Sequence, residues 1–313
     1  MYPRAFGLGR LVLFCAFLAT GCVSESSRRL SSIEGQSACG EIVSLTDARF
    51  GKRNAQLGLW RPADYVRTTN AGVYFIEPYV PDKTPVLFVH GINGSPAQFL
   101  YLLERLDRTR FQPWVYAYPS GAPLEVIADH LDRTITKLER RYRFDALAVI
   151  AHSMGGLVAR SFILRHSLTP GATPIPLFMS LSTPWDGHAS AALGVKHAPV
   201  VVDAWRDLVP GSPYLTDLFL THLPEVTRHW LLFTFNRRHA SFGESSDRSV
   251  SVASQLNASA QREAARVLGF DNTHSGVLRD AAVATLINEA LTATFVSPRW
   301  DQKEAVAKMR APP

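Results

Sequence analysis

A serine between an apolar run and a glycine pair is the residue best suited to chemistry in this sequence. The run Leu147–Ala151 has the length of a buried strand, and Gly155 and Gly156 open a stretch of good helix formers. A sharp turn from strand to helix at Ser153 would strain the serine backbone and expose its hydroxyl. Such a turn is tolerable only when the neighbouring residues are small. A serine presented in this way can act as the nucleophile of acyl transfer.

The segment Ala151-His-Ser-Met-Gly155 resembles the nucleophile turn of α/β-hydrolases of the bacterial lipase and esterase type, among which the same five residues occur. The similarity covers roughly residues 72–291. It implies a serine hydrolase that forms an acyl-enzyme and uses a Ser-His-Asp triad.

The stabilisation of an oxyanion requires two backbone N–H groups that converge on one point. Met154 follows the serine at the start of the predicted helix, so its N–H can donate with support from the helix dipole. The resemblance implies that the second donor follows the strand 85–89, which by position makes it Ile92 in His90-Gly-Ile-Asn-Gly94. His90 is expected to be structural, because the base of the family comes later in the chain.

The chain order of the family is serine, acid, histidine, and His274 is the only histidine after residue 239. His274 is therefore the predicted base. Four carboxylates lie between the strand 231–235 and His274: Glu244, Asp247, Glu263 and Asp271. Glu263 falls in an apparent helix over Gln261–Leu268 and is expected to be solvated, and Asp271 is expected to shape the turn before His274.

Asp247 is the preferred acid, because its segment resembles the acid segment of the family, and Glu244 is the alternative. The family usually has glycine after this aspartate, whereas this chain has Arg248. The carboxylate has to hold the imidazole and stabilise its charged form, which requires orientation more than basicity.

Apolar runs of strand length alternate with amphipathic segments, which predicts an α/β fold with a mostly parallel sheet and helices on both faces. A helical stripe runs from Leu124 to Tyr142, and a further helix is predicted over Ala281–Leu291. The predicted strands are Val73–Ile76, Val86–His90, Trp114–Tyr118, Ala146–Ala151, Leu177–Leu181 and Leu231–Phe235.

The segment of about residues 186–230 lacks strand signals and is predicted to form a helical cap. Leu215, Leu218, Phe219 and Leu223 recur at helical spacing, so they line an acyl pocket, pack the cap onto the core, or do both. The histidines of this region are scattered without ligand spacing, so no metal and no cofactor is expected.

The first 22 residues have the pattern of a lipoprotein leader. Arg4 and Arg10 precede an apolar run of about nine residues that ends in Gly21-Cys22. Cleavage before Cys22 and acylation of its sulfur with palmitate-type chains would anchor the exported protein to a bacterial membrane. The outer membrane is expected, because no aspartate follows Cys22. Cys39 would then be the one cysteine left without lipid, which excludes an intramolecular disulfide.

Composition supports one globular domain and excludes several other classes. The chain has 313 residues and a net charge of +6, which loss of the leader lowers to +4. It contains no basic stripe with interleaved aromatics that would favour nucleic acid. The predicted divisions are a signal peptide over 1–21, a Ser-rich tether over 22–40, a hydrolase domain over 41–300 and a tail over 301–313.

The preferred function is hydrolysis of carboxylic esters, chiefly the acyl esters of lipids. An acyltransferase would use the same acyl-enzyme and differ only in the acceptor. A non-catalytic lipoprotein that keeps the fold as a binding module is the alternative from another class. The oligomeric state is not predicted.

Overall fold

The computed structural model describes residues 37–237 and 245–295. Five predicted features lie wholly or mostly outside these ranges: the signal peptide, Cys22, the tether, Glu244 and the tail over 301–313.

The core of the protein is an eight-stranded sheet in the order β1-β2-β4-β3-β5-β6-β7-β8. All neighbouring pairs are parallel except β2 and β4. This arrangement confirms the predicted α/β class with a mostly parallel sheet. The strands are β1 Ala38–Ile42, β2 Gly72–Phe75, β3 Thr84–Val89, β4 Phe111–Ala117, β5 Ala148–His152, β6 Leu177–Leu181, β7 Arg228–Phe235 and β8 Ala264–Asp271.

The helix predicted from the apolar stripe has the bounds Leu124–Tyr142, and the predicted last helix extends to Phe295. Within the described ranges, none of the helices has both the length and the apolar character needed to span a bilayer. The α-helices are α1 Lys52–Trp60, α2 Pro62–Thr69, α3 Leu100–Glu104, α4 Leu124–Tyr142, α5 Met154–His166, α6 Ala189–His197, α7 Asp203–Asp207, α8 Pro213–Asp217, α9 Val252–Gln255, α10 Ala258–Glu263 and α11 Ala281–Phe295.

Alternation along each central strand divides the core into two layers. Leu87 and Val89 of β3 pack with α4 and α5 on one face of the sheet. Val86 and Phe88 pack with α11 on the other face. Because both faces are covered, the central strands are apolar at nearly every position, which is why their sequences are continuous apolar runs.

Two edge strands were not predicted. β8 occupies Ala264–Asp271, where a helix over Gln261–Leu268 was expected, and that expectation is wrong because the helix ends at Glu263. Most of β8 is exposed, so it carries no continuous apolar run. β1 begins at Ala38, inside the segment predicted as tether, and is interrupted by a bulge at Gly40, where φ is 78°.

The cap contains three short helices between β6 and β7, and the predicted amphipathic helix around Leu215–Leu223 is wrong. α8 ends at Asp217, and the chain continues without a helix to β7. Leu215 and Leu218 are nevertheless buried against the main core. Their spacing therefore reflects the short helix α8 and the residue that ends it, rather than one long helix.

The end of the cap is fixed to the core by a buried arginine. Arg160 of α5 pairs with Glu263, with 2.8 Å between guanidinium and carboxylate atoms, and donates to the carbonyls of Leu218 and Thr221. The guanidinium also lies 4.4 Å from the ring centroid of Phe219. The side chain of Glu263 is 10% exposed, so the prediction that it is solvated is wrong.

A second buried charge joins α4 to α5. The two ring nitrogens of His166 lie 2.8 Å from Asp132 and 2.9 Å from Glu139, so both must donate and the ring is an imidazolium. Burial opposes this charge, but the hydrogen bonds to Asp132 and Glu139 outweigh it and raise the pKa of His166 to about 9. The pKa of Glu139 is lowered by the same contact, against the effect of burial.

We predict that His166→Gln destabilises the protein in a pH-dependent way. The folded pKa lies above the unfolded value of 6.5, so the charge stabilises the fold fully below pH 6.5 and loses this effect as the pH rises through about 9. The free energy of unfolding should therefore be higher in wild type than in the variant, and this difference should be about 3 kcal/mol larger at pH 6 than at pH 10. Denaturant unfolding at the two pH values measures it. His222→Gln, at an exposed histidine paired with Glu263, is the control. An equal difference at both pH values would contradict the charge assignment.

Candidate active site

Ser153 occupies a strained turn between β5 and α5. Its backbone has φ 56° and ψ −133°, and its amide donates to the Leu181 carbonyl at 2.8 Å. A Cβ added at Gly155 would lie 2.4 Å from the His90 carbonyl oxygen, and one added at Gly156 would lie 2.0 Å from the Thr183 hydroxyl. Only glycine fits both positions, so the two glycines after the serine allow the helix to start against its neighbours.

The structure brings together the three residues predicted as a triad. His274 Nε2 lies 2.9 Å from Ser153 Oγ, and His274 Nδ1 lies 2.7 Å from Asp247 Oδ2. An ionised carboxylate can only accept, so Nδ1 carries the proton and Nε2 accepts from the serine. In this tautomer the ring can take the proton of Ser153 as the hydroxyl attacks. The adjacent ends of β7 and β8 place the acid and histidine loops side by side.

Asp247 is fully buried and held from several directions. The Thr234 hydroxyl donates to Oδ2 at 2.7 Å, and the amides of Ser249 and Val250 donate to Oδ1 at 3.0 and 2.8 Å. Burial opposes ionisation, but the hydrogen bonds from His274, Thr234 and the Val250 amide outweigh it and lower the pKa of Asp247. The carboxylate is thus ionised and fixed in orientation.

Arg248 has a left-handed backbone, with φ 77°. Glycine adopts this conformation without a steric penalty. That preference fits the glycine expected after the acid from the resemblance to α/β-hydrolases. Here an arginine adopts the same conformation, and the loop still delivers Asp247 to His274. The departure from the family pattern therefore changes the strain of the turn and not the placement of the carboxylate.

The other candidate acids lie apart from His274 or outside the described residues. Asp271 pairs with Arg237 at 2.7 Å, and Glu263 pairs with Arg160. Glu244 is not among the described residues. Of the described candidates, Asp247 is the one in contact with the imidazole.

The two predicted oxyanion donors border the cleft beside Ser153. Met154 is the first residue of α5, so its N–H has no acceptor within the helix. The loop with Ile92 lies against the serine, because a Cβ at Gly91 would lie 2.8 Å from Ser153 Cβ. The Asn93 amide donates to the Ser120 hydroxyl at 2.9 Å, which ties this loop to the chain after β4.

His90 supports the oxyanion loop, which is the segment over residues 90–94 that carries the predicted donor Ile92. Its Nδ1 donates to the Gly91 carbonyl at 2.9 Å, and its ring stacks on Tyr118 with 4.0 Å between centroids. Burial lowers the pKa of His90 to about 4, so the ring is neutral near pH 7. These contacts are those of a structural residue, as expected from the sequence.

His152 is a supporting residue that the sequence analysis did not identify. Its Nε2 donates to the His274 carbonyl at 2.8 Å, and its Nδ1 accepts from Gln98 at 3.3 Å. Burial and the neighbouring His274 lower the pKa of His152 to about 3. The neutral ring therefore holds the backbone of the predicted base. Its position beside Ser153 was the available signal, but the partners are more than fifty residues away in sequence.

Ser153 opens into a cleft of about 650 Å³ between the oxyanion loop and the cap. Trp205 borders this cleft, whereas the predicted stripe Leu215, Leu218, Phe219 and Leu223 packs on the core instead. No Lys, Arg, Asp or Glu borders the cleft in the described part of the chain. Across residues 37–237 and 245–295, no cluster of three or more His, Cys, Asp or Glu is arranged to hold a metal ion.

We predict that Asp247→Asn lowers kcat by about 10⁴-fold, because an amide next to the imidazole no longer fixes the required tautomer. Asp271→Asn, the same change at an acid paired with Arg237, should lower kcat less than tenfold. Steady-state rates on a chromogenic ester compare the two. If Asp271→Asn were the more damaging change, Asp247 would not be the acid.

Solved structures share this fold at low sequence identity. The mature form of Bacillus licheniformis lipase BlEst2 is 15% identical with a TM-score of 0.55, and the match covers 70% of this chain and 97% of that one. A gene product of Listeria innocua is 12% identical, with a TM-score of 0.52 over 67% of this chain and 94% of that one. Aspergillus fumigatus lipase B is 14% identical, with a TM-score of 0.54 over 74% of this chain and 57% of that one. At such low identity, these structural similarities establish the α/β-hydrolase fold and nothing about activity.

A family model gives the more specific assignment. No curated protein matches the sequence. The family described as "Putative serine esterase (DUF676)" matches residues 82–245, slightly more than half of the chain. The matched range starts just before β3, includes Ser153 and ends two residues before Asp247. The chain therefore belongs to this serine esterase family.

Proposed function

We propose that the protein is a serine hydrolase that cleaves carboxylic esters through an acyl-enzyme. The observation that carries this proposal is the continuous hydrogen-bonded chain from Ser153 through His274 to Asp247, at the floor of an open cleft. A binding module has no need of a serine in a strained backbone aligned with an imidazole and a buried carboxylate.

Each group has one task in the proposed reaction. Ser153 Oγ attacks the ester carbonyl while His274 Nε2 takes the hydroxyl proton. The amides of Ile92 and Met154 stabilise the negative oxygen of the tetrahedral intermediate. His274 then gives the proton to the leaving alcohol, and a water molecule activated by the same ring releases the acid.

The borders of the cleft favour a neutral ester with an apolar acyl group. The apolar residues that border it are Ile92, Pro184, Ala191, Trp205 and Leu208. The polar residues around them are neutral, and include Asn93, Gln98, Ser249 and Ser275. A charged group next to the scissile bond would lose hydration there without an ionic partner. We therefore favour acyl esters of lipids over esters of charged metabolites.

We further propose that the protein is exported and held on a bacterial membrane by lipid on Cys22. The basic leader, the short apolar run and Gly21-Cys22 support this location. The ester substrate would then lie in or near the membrane that carries the anchor.

We predict that Ser153→Ala lowers kcat on p-nitrophenyl butyrate by 10⁴–10⁶-fold, the loss typical of a missing triad member. The temperature of thermal unfolding should stay near that of wild type, because the hydroxyl faces the cleft. Ser275→Ala removes a hydroxyl that also borders the cleft and should keep activity within tenfold. Substantial activity in purified Ser153→Ala protein would contradict the proposed mechanism.

We predict that Cys22→Ser moves the protein from the detergent-requiring fraction to a soluble or unprocessed form that still hydrolyses esters. The acyl chains on Cys22 contribute about 0.8 kcal/mol per buried CH₂, so two or more chains on one protein anchor it stably to the membrane. Cys39→Ser, at the half-buried thiol before the bulge in β1, should remain in the membrane fraction. A cleaved Cys22→Ser protein that stays in that fraction would contradict the anchor.

A further inference from the structure

A second cavity of about 300 Å³ lies on the α4 side of the sheet, bordered by α4, α2 and the start of β2. No residue borders both this cavity and the catalytic cleft. Tyr116, which borders the second cavity, stacks on Tyr118, and Tyr118 stacks on His90, with 4.9 and 4.0 Å between successive centroids. The cavity is therefore a separate site and not an extension of the cleft.

One end of this cavity is apolar. Val126 and Ile127, in the first turn of α4, border it there, together with Val66 of α2, Ala71 before β2 and Ala122 before α4. A volume near 300 Å³ lies at the low end of small-molecule sites, which span about 300–1,000 Å³. This space suits one alkyl chain and is too small for the two chains of a diacyl lipid.

His130, a titratable residue that borders the cavity, is neutral, and both of its ring nitrogens are hydrogen-bonded. Tyr116 OH donates to the Ile127 carbonyl at 3.0 Å, so it accepts from His130 Nδ1 at 2.9 Å. His130 Nε2 then accepts from the Ser37 hydroxyl at 2.8 Å. Burial and the nearby Arg133 and Lys137 lower the pKa of His130 to about 4. The interior thus offers no positive charge to an anion.

Positive charge is confined to the other end. Arg133, Lys137 and Arg140 follow one another at helical spacing on α4 and border the cavity there. Arg133 pairs with Asp129 at 2.9 Å. Lys137 and Arg140 are exposed and have no ion pair with the described residues. No Asp or Glu borders the cavity within the described ranges.

We propose that this cavity binds a fatty acid, with its alkyl chain among the apolar residues and its carboxylate at Lys137 and Arg140. The distribution of charge selects this ligand: an apolar interior around a neutral imidazole accepts a chain, and a basic mouth accepts an anionic head. That the bound acid is a product of the enzyme rests on the proposed function, whereas the binding itself does not depend on Ser153.

The test measures binding of monomeric decanoate and of decanol to the full-length protein by titration calorimetry. Lys137→Glu/Arg140→Glu should weaken decanoate binding about tenfold and leave decanol within twofold, because two attractive contacts become repulsive. The control variant Lys52→Glu/Arg53→Glu makes the same charge change at exposed positions of α1. It should bind decanoate and decanol with the affinities of wild type.

Filling the cavity provides an independent test. Val126→Trp should weaken both ligands at least tenfold, and Val66→Trp fills the same space from the opposite side if the first variant does not fold. None of these residues borders the cleft, so their effects report on the second cavity whether or not Ser153 is a nucleophile. No saturable decanoate binding to wild type, or equal binding by both double variants, would overturn the proposal. So would unchanged binding in a folded tryptophan variant.

Discussion

Close backbone contact between the loops that follow β3 and β5 is the constraint on which the site depends. Gly155 lies so near the Val89 and His90 carbonyls that any side chain would collide with them, and a Cβ at Gly91 would lie 2.8 Å from the Ser153 Cβ. This contact keeps the oxyanion loop beside the serine, whose backbone has φ 56°. A larger residue at either glycine would separate the nucleophile from the oxyanion loop. The apolar cover on both faces of the central strands provides the rigidity that holds this strained turn.

Three buried charged side chains in the described part of the chain, Asp247, Arg160 and His166, each have a partner and join elements that must keep their relative positions. Asp247 joins the loop after β7 to the histidine after β8, and Arg160 joins the cap to α5. His166 joins α5 to α4. Leaving any one of these charges buried without its partner would cost several kcal/mol. The site, the cap and the helix layer are therefore coupled through polar contacts as well as through the core.

Local patterns were sufficient for the parts of the protein where burial determines the sequence. The central strands and the helix Leu124–Tyr142 are confirmed, because their apolar spacing records the faces they bury. β8 was missed because an exposed edge strand records no such pattern. The long cap helix was wrongly predicted because the apolar spacing continues past the end of the short helix α8 into a loop packed on the core. His152 and Thr234 were not recognised, because their role depends on partners distant in sequence.

Covalent capture of the nucleophile is the measurement that tests the central claim most directly. The folded protein would be treated with an alkyl fluorophosphonate and digested, and its peptides mapped by mass spectrometry, with heat-denatured protein treated in parallel. The geometry of Ser153, His274 and Asp247 predicts a single phosphonyl adduct, on the peptide that contains Ser153, and none in the denatured sample. No adduct on the folded protein, or an adduct on a different residue, would contradict the assignment of Ser153 as an activated nucleophile.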